Sequence, residues 1–235
     1  MKVLLIDNDI TTVSSIELAL KVKGFNVYTT DLGEEGLELA LRYDYDIILL
    51  ELNLADMTGY QFLRHLRLNK NSTPVMVVSY LNDSETKVKA LDLGADDFVD
   101  KPFDSDELAA RARTLIRRSK GYTASVIKVG DLEIDLRAKR VKSPSGMIHM
   151  TNIEYQLIEL LALRFGSAIT KEIIFDNLYG GIDEPSDNNI SVYICKLRKK
   201  IREATGGHNY IDTLWGRGYI MIDPTSKKST SMQAA

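Results

Sequence analysis

Residues 46–57 read DIILLELNLADM. Five residues of strand character end on a carboxylate, Glu51, and the chain then turns at once into a loop. Outward from this point the same short apolar run recurs as KVLLI (2–6), NVYTT (26–30), PVMVVS (74–79) and DDFV (96–99). Between the runs lie helical patterns such as VSSIELALKVKG (13–24) and GEEGLELALRY (33–43). Five strands, each followed by a helix, predict an α/β fold, a doubly wound five-stranded parallel sheet. Chemistry in such sheets gathers beyond the carboxyl ends of the strands. Polar residues stand at those ends: Asp7, Asn8 and Asp9, then Glu51, Ser79 and Lys101. A single polar strand end is unremarkable, but the set together makes a pocket.

The chain has 235 residues, enough for two domains that each bury a core. Up to Lys120 there are 15 Lys and Arg against 20 Asp and Glu, and from Gly121 onward 15 against 13. An acidic half thus precedes a mildly basic one, and only the second suits a polyanion. One cysteine, Cys195, excludes an internal disulfide. The apolar run of MKVLLIDND is too short for a signal peptide, and no stretch approaches the about 20 apolar residues of a membrane span. The expectation is a cytoplasmic protein with no membrane partner. Its predicted organisation is a first domain over 1–118, a linker over 119–125, a second domain over 126–224 and a disordered tail over 225–235.

Residues 125–150 read as short antiparallel strands turned by Ser-Pro-Ser-Gly. TNIEYQLIELLALRFG carries Thr151 and Glu154 at capping-box spacing, with Gly166 as a stop. A helix over 171–179 leads through GGIDEPS to DNNISVYICKLRKKIREATGG, and YIDTL and GYIMI flank WGRG as a hairpin. Sheet, helix, helix, basic helix and hairpin is the order of a winged helix-turn-helix domain. On the basic helix Ile190, Ile194, Leu197 and Ile201 form one buried stripe. The other side carries Val192, Cys195, Lys196 and Lys199, flanked by Tyr193, Arg198 and Lys200, with Asn189 at its start. Such a helix suits a DNA major groove, where basic side chains meet phosphates or guanine edges. A solvated basic helix is the plainer reading. The hairpin, with Thr213, Trp215 and Arg217, favours double-stranded DNA, since an arginine on a tight glycine wing reaches a narrow minor groove. Tyr219 is expected in the core, and Trp215 fits either the core or the DNA face.

With LLIDND at the first strand, GADDFVDKPF around Lys101, ICKLRKK and WGRGY, the chain resembles the OmpR/PhoB-type two-component response regulators over nearly its whole length. The resemblance implies a receiver domain followed by a DNA-binding domain. It implies a homodimer through the fourth and fifth helices and last strand of the receiver, with a face including Lys87, Asp96, Asp97, Glu107, Arg111 and Arg118. A histidine kinase or phosphotransferase and RNA polymerase are the implied partners, and Mg²⁺ the implied cofactor. DLGEEGLELA, YDYDIILL and YGGIDEP look like the cell-cycle regulators of that family, which implies a degradation signal for an ATP-dependent protease at Ala234 and Ala235.

Three positions depart from the pattern. Glu51 stands where the phosphoacceptor Asp is expected, Asn8 stands at the second of two adjacent acids that hold Mg²⁺, and Ala55 replaces a loop-shaping proline. Glu51 is one methylene longer than Asp, and in-line phosphoryl transfer depends on positioning. Asn8 removes a charge from a metal set of Asp7, Asn8 and Glu51, which weakens it. Glu51 is therefore expected to stand in for a phosphorylated residue by reaching toward Lys101, in a naturally degenerate pocket. Three alternatives stay open: an ordinary regulator in phosphomimetic form, a haloacid-dehalogenase-like phosphatase with Asp7 as nucleophile and Asp9 as acid, and an adaptor that no longer binds DNA.

Overall fold

The computed structural model describes residues 1–179 and 188–226, without the side chains of 188 and 189. The chain divides into two compact units, Met1–Gly121 and Tyr122–Ala235.

The first unit runs β1 (Lys2–Ile6), α1 (Ile10–Val22), β2 (Asn26–Thr30), α2 (Gly33–Arg42), β3 (Ile47–Leu50), α3 (Gly59–Leu68), β4 (Val75–Ser79), α4 (Ser84–Asp92), β5 (Asp97–Asp100) and α5 (Ser105–Ser119). All strands pair in parallel, in the order β2-β1-β3-β4-β5. Side chains alternate across a strand, and the core follows that alternation. Val3, Leu5, Ile47, Leu49, Met76 and Val78 pack with Ile16 and Leu20 of α1 and with Leu108, Ala112 and Ile116 of α5. Leu4, Ile6, Ile48, Leu50, Val75 and Val77 face the other way, onto Ala40, Phe62, Leu63, Leu66 and Ala90 of α2, α3 and α4. A strand buried on both faces loses the polar alternation of a half-exposed one, which is why IILL is apolar throughout. Each such Leu or Ile stabilises the fold by about 1.5–3 kcal/mol.

Helix starts follow their caps. Asp9 begins α1 three residues before the apolar pattern does, because its side chain accepts from Thr11 N. α3 opens on a Thr58/Gln61 capping box. The loop between β3 and α3 is tied sideways: the Asp56 carboxylate accepts from Gly33 N and Glu34 N, each at 2.8 Å, and so caps α2.

The second unit runs β6 (Val126–Val129), β7 (Leu132–Asp135), β8 (Arg140–Ser143), β9 (Gly146–Ile148), α6 (Asn152–Leu163), α7 (Lys171–Tyr179), α8 (Asn188–Ala204), β10 (Ile211–Leu214) and β11 (Gly218–Met221). β6 to β9 form an antiparallel meander, and β10 and β11 form a hairpin. α6 starts at the Thr151/Glu154 capping box. Ile190, Ile194, Leu197 and Ile201 of α8 are buried, together with Tyr210, Ile211, Tyr219 and Met221. Ile169 bridges to Tyr219 through two backbone hydrogen bonds of 2.8 and 2.9 Å, fastening β11 one residue from the turn of the hairpin. GGIDEPS lies outside the described residues, as do Ala234 and Ala235.

Candidate functional site

The strand ends deliver Asp7, Glu51, Ser79 and Lys101 to one place. The backbone ladder runs on into them: Glu51 N donates to Ile6 O at 2.9 Å, and Lys101 N donates to Ser79 O at 2.9 Å. All four side chains are buried. The Lys101 ammonium lies 2.6 Å from Asp7 Oδ2 and 2.6 Å from Glu51 Oε2. The other oxygen of Glu51, Oε1, accepts from Ser79 Oγ at 2.5 Å, from Leu52 N at 2.7 Å and from Asn53 N at 3.2 Å. One carboxylate thus engages a hydroxyl, an ammonium and two backbone amides. The exposed Tyr80 ring stands 5.2 Å from the same ammonium.

Burial works against the Lys101 ammonium, but hydrogen bonds and charge from Asp7 and Glu51 outweigh it and raise its pKa. Burial is also the largest influence on Asp7, and it raises that pKa beyond what the bonds from Lys101 and Asp9 N take back. Asp9 is turned to another task. Its Oδ2 accepts from Thr12 Oγ1 at 2.5 Å and its Oδ1 from Thr11 N at 3.0 Å, and the Thr12 bond leads in lowering its pKa. Asn8 is exposed. The nucleophile and acid of a phosphatase are therefore not poised: Asp7 is bonded to Lys101 and to Asp9 N, while Asp9 caps α1.

Mg²⁺ prefers several hard, charged oxygens. Here both buried carboxylates are bonded to an ammonium, and Asn8 is neutral. Among the described residues no group of three His, Cys, Asp or Glu could hold an ion. This donor set does not fit Mg²⁺.

On the face of α4, β5 and α5, Arg111 pairs with Asp97 at 3.0 Å and with Glu107 at 2.8 Å, and Lys87 Nζ donates to Asp100 Oδ2 at 2.8 Å. Asp96 points elsewhere: its Oδ2 accepts from Val75 N at 2.8 Å and from Arg67 Nη2 at 3.1 Å. Arg118 is exposed, as are Val88 and Leu91.

On α8 the structure leaves Val192, Cys195, Lys196 and Lys199 exposed, with Lys199 3.9 Å from Glu203. Asn189 falls in the first turn, with its side chain outside the described residues. Tyr193 is half-buried and bonds to Tyr179, whose phenol is pushed up to about 12, by burial first and by that bond next. Trp215 is 93% exposed and does not join the core, whereas Tyr219 is buried. Arg217 is exposed beside it. Two of the basic residues are engaged within the unit. Arg198 donates to Ile211 O at 2.8 Å and to Thr213 Oγ1 at 2.7 Å. Lys200 donates to Glu154 Oε2 at 2.6 Å and to His149 O at 3.0 Å.

Burial raises the Glu154 pKa, yet the bonds from Lys200 and Thr151 N outweigh it and the net shift is downward from 4.5. A depressed acid stabilises the fold above its unfolded pKa, and that contribution is lost as pH falls through the lower folded value. Lys200→Ala should therefore cost the second unit about 1–2 kcal/mol near neutrality, discounted because the lysine is one-third exposed, and should flatten the acid limb of its stability. Urea unfolding across pH reads both effects. An unchanged midpoint would return Lys200 to the DNA face.

Comparison with known proteins bears on both units. Residues 3–113 match the response regulator receiver domain, and residues 145–221 match the C-terminal domain of transcriptional regulatory proteins. The cell cycle response regulators CtrA of Brucella ovis and Brucella anthropi are each 52% identical over 231 residues, covering 98% of this chain and 100% of theirs. A solved structure, the OmpR/PhoB homologue DrrB of Thermotoga maritima, is 28% identical, covering 94% of this chain and 98% of that one, with a TM-score of 0.46. No helix among the described residues is long and apolar enough to cross a membrane.

Proposed function

The chain belongs to the OmpR/PhoB-type response regulators and is closely related to CtrA, and from that premise we propose that its receiver works without a phosphoryl group, Glu51 standing where an acyl phosphate would otherwise form. It is a DNA-binding transcriptional regulator, and dimerisation is typical of the type. Receiver domains generally coordinate Mg²⁺ at the phosphoacceptor. The proposal assigns this pocket little or none. It also assigns the DNA contacts to α8 and the hairpin, a receiver dimer to the α4, β5 and α5 face, contact with RNA polymerase to the bound regulator, and a protease signal to Ala234 and Ala235, which lie outside the described residues.

The observation that carries the reading is the partition of the Glu51 carboxylate between Ser79 Oγ and Leu52 N on one oxygen and Lys101 Nζ on the other. A hydroxyl, an amide and an ammonium are the donors a phosphoryl group would need. The longer side chain carries its charge out to where those oxygens would lie, and the buried ion pair holds it there. Acetyl phosphate with Mg²⁺ should then leave the protein unmodified by mass and its DNA affinity unchanged. Glu51→Asp should restore some uptake, more so combined with Asn8→Asp, while Glu51→Ala should lower cooperative binding to tandem half-sites. Ready phosphorylation of the parent protein would sink the proposal.

For the DNA face, Lys196→Ala should cost about 1–3 kcal/mol if the side chain reads a base, and Lys199→Ala should lower the salt slope by about one if it meets a phosphate. Titrations at several salt concentrations separate the two, and parent-like behaviour of both variants would remove α8 from the interface.

A further inference from the structure

Arg198 lies on the basic helix, yet its guanidinium is directed at the hairpin. Nε donates to Ile211 O at 2.8 Å and Nη2 to Thr213 Oγ1 at 2.7 Å, both on β10, and the guanidinium carbon stands 5.8 Å from the Tyr219 ring on β11. Seven residues earlier, two helical turns back on the same side of α8, the Ser191 hydroxyl lies 3.2 Å from the Tyr219 hydroxyl. α8 is therefore attached to the hairpin at two levels. A two-stranded hairpin is marginal by itself. This one is joined to Ile169 along β11 at the level of the Thr213–Tyr219 pair, and Leu214 to Gly218 extend beyond that pair.

We infer that Arg198 is a positioning residue: it fixes the angle of the wing against the recognition helix, so that Arg217 and the helix engage DNA in one register. This rests on the reading that α8 and the hairpin form the DNA face. Two rigid readers bound to adjacent grooves lose less freedom on binding than two readers joined loosely. A planar fork with donors at fixed angles can bond a carbonyl and a hydroxyl at once, whereas a lysine ammonium is a single point charge on a flexible stem. The charge of Arg198 is thus secondary to its shape, which makes the role separable from a phosphate contact.

The test uses the full chain and a duplex selected with the parent protein from a randomised library, titrated at several salt concentrations. Arg198→Lys keeps the charge and loses the fork. It should weaken binding about tenfold while leaving the salt slope at the parent value. Thr213→Val removes the acceptor and leaves Arg198 in place, so it should weaken binding in the same direction by a smaller factor. It also carries the test if Arg198→Lys fails to fold. Arg217→Ala should cost about tenfold in the parent and less than about twofold in the Arg198→Lys or Thr213→Val background, because a wing already released has little left to lose. Parent-like binding by Arg198→Lys overturns the inference. So does an Arg217→Ala loss of equal size in every background, or a salt slope that falls by about one in Arg198→Ala. If Lys196→Ala and Arg217→Ala both bind like the parent, the interface reading itself fails and takes this inference with it. With those two losses in place, the Arg198 and Thr213 results alone decide.

Discussion

Lys101→Met should destabilise the first unit by about 3–5 kcal/mol, the loss expected when one partner of a buried ion pair is removed. The ammonium is the shared counter-charge of Asp7 and Glu51, at 2.6 Å from each, and all three residues are buried. Without it two carboxylates face each other with no cation between them. Set against a usual domain stability of about 5–15 kcal/mol, this is enough to leave the unit partly unfolded at moderate temperature. The pH dependence should discriminate the cause. In the parent the raised Lys101 pKa means that its contribution is complete below 10.5 and is lost only as pH rises through the higher folded value. In the variant the burden is carried by the acids. A buried acid with a raised pKa favours the folded state below its unfolded value and loses that advantage as pH rises through the folded one. The deficit should therefore shrink as pH is lowered from neutrality, and Asp7→Asn in the same chain should recover part of it. Urea unfolding monitored by far-ultraviolet circular dichroism measures each case. A variant with the parent midpoint would show that the triad carries no stability.

The second large effect belongs to Gly218→Ala. Gly218 has φ +102, and a Cβ there would lie 2.0 Å from Ile169 O, the carbonyl that accepts from Tyr219 N in the bridge holding the hairpin. The left-handed backbone alone costs a side chain about 1–3 kcal/mol, and the overlap with a fixed carbonyl adds to it, since backbone cannot rotate away as a side chain does. The expected result is a lower melting temperature for the second unit, an unchanged first unit and a large loss of DNA affinity. Gly216→Ala is the control. Its φ is +72 but nothing lies within 4 Å of its Cβ, so it should cost only about 1–2 kcal/mol. Equal effects at both positions would mean that the Ile169 bridge does not hold the wing.

The fold was legible because its signals are periodic and local. Apolar runs such as IILL and VMVVS, the Thr151 and Glu154 spacing, and the stripe from Ile190 to Ile201 each lie within a few turns or one strand. The pocket was legible too, because a parallel sheet obliges strand ends to converge whatever the distance along the chain. Side chains with two plausible partners were harder to read. Lys200 meets Glu154 from 46 residues away, Arg198 meets β10, and Asp96 turns to Arg67 across 29 residues. Each of these charges was spaced correctly for solvent, DNA or a second subunit. Only the packing of two elements decides which it takes. Asp9 was hidden differently: an acid after a strand is also an acid before a helix, and capping took it.

Trp215 is the one tryptophan of the chain, and it stands in water on the wing. The protein therefore carries a built-in optical probe at the element most in question, with no competing indole in the receiver. Its emission in the free protein should be that of a solvated ring, and a blue shift or quenching on adding duplex would report engagement of the wing without any label. Changes at Glu51 that leave the hairpin untouched should be dark in this channel, so that one cuvette can separate what happens in the pocket from what reaches the DNA.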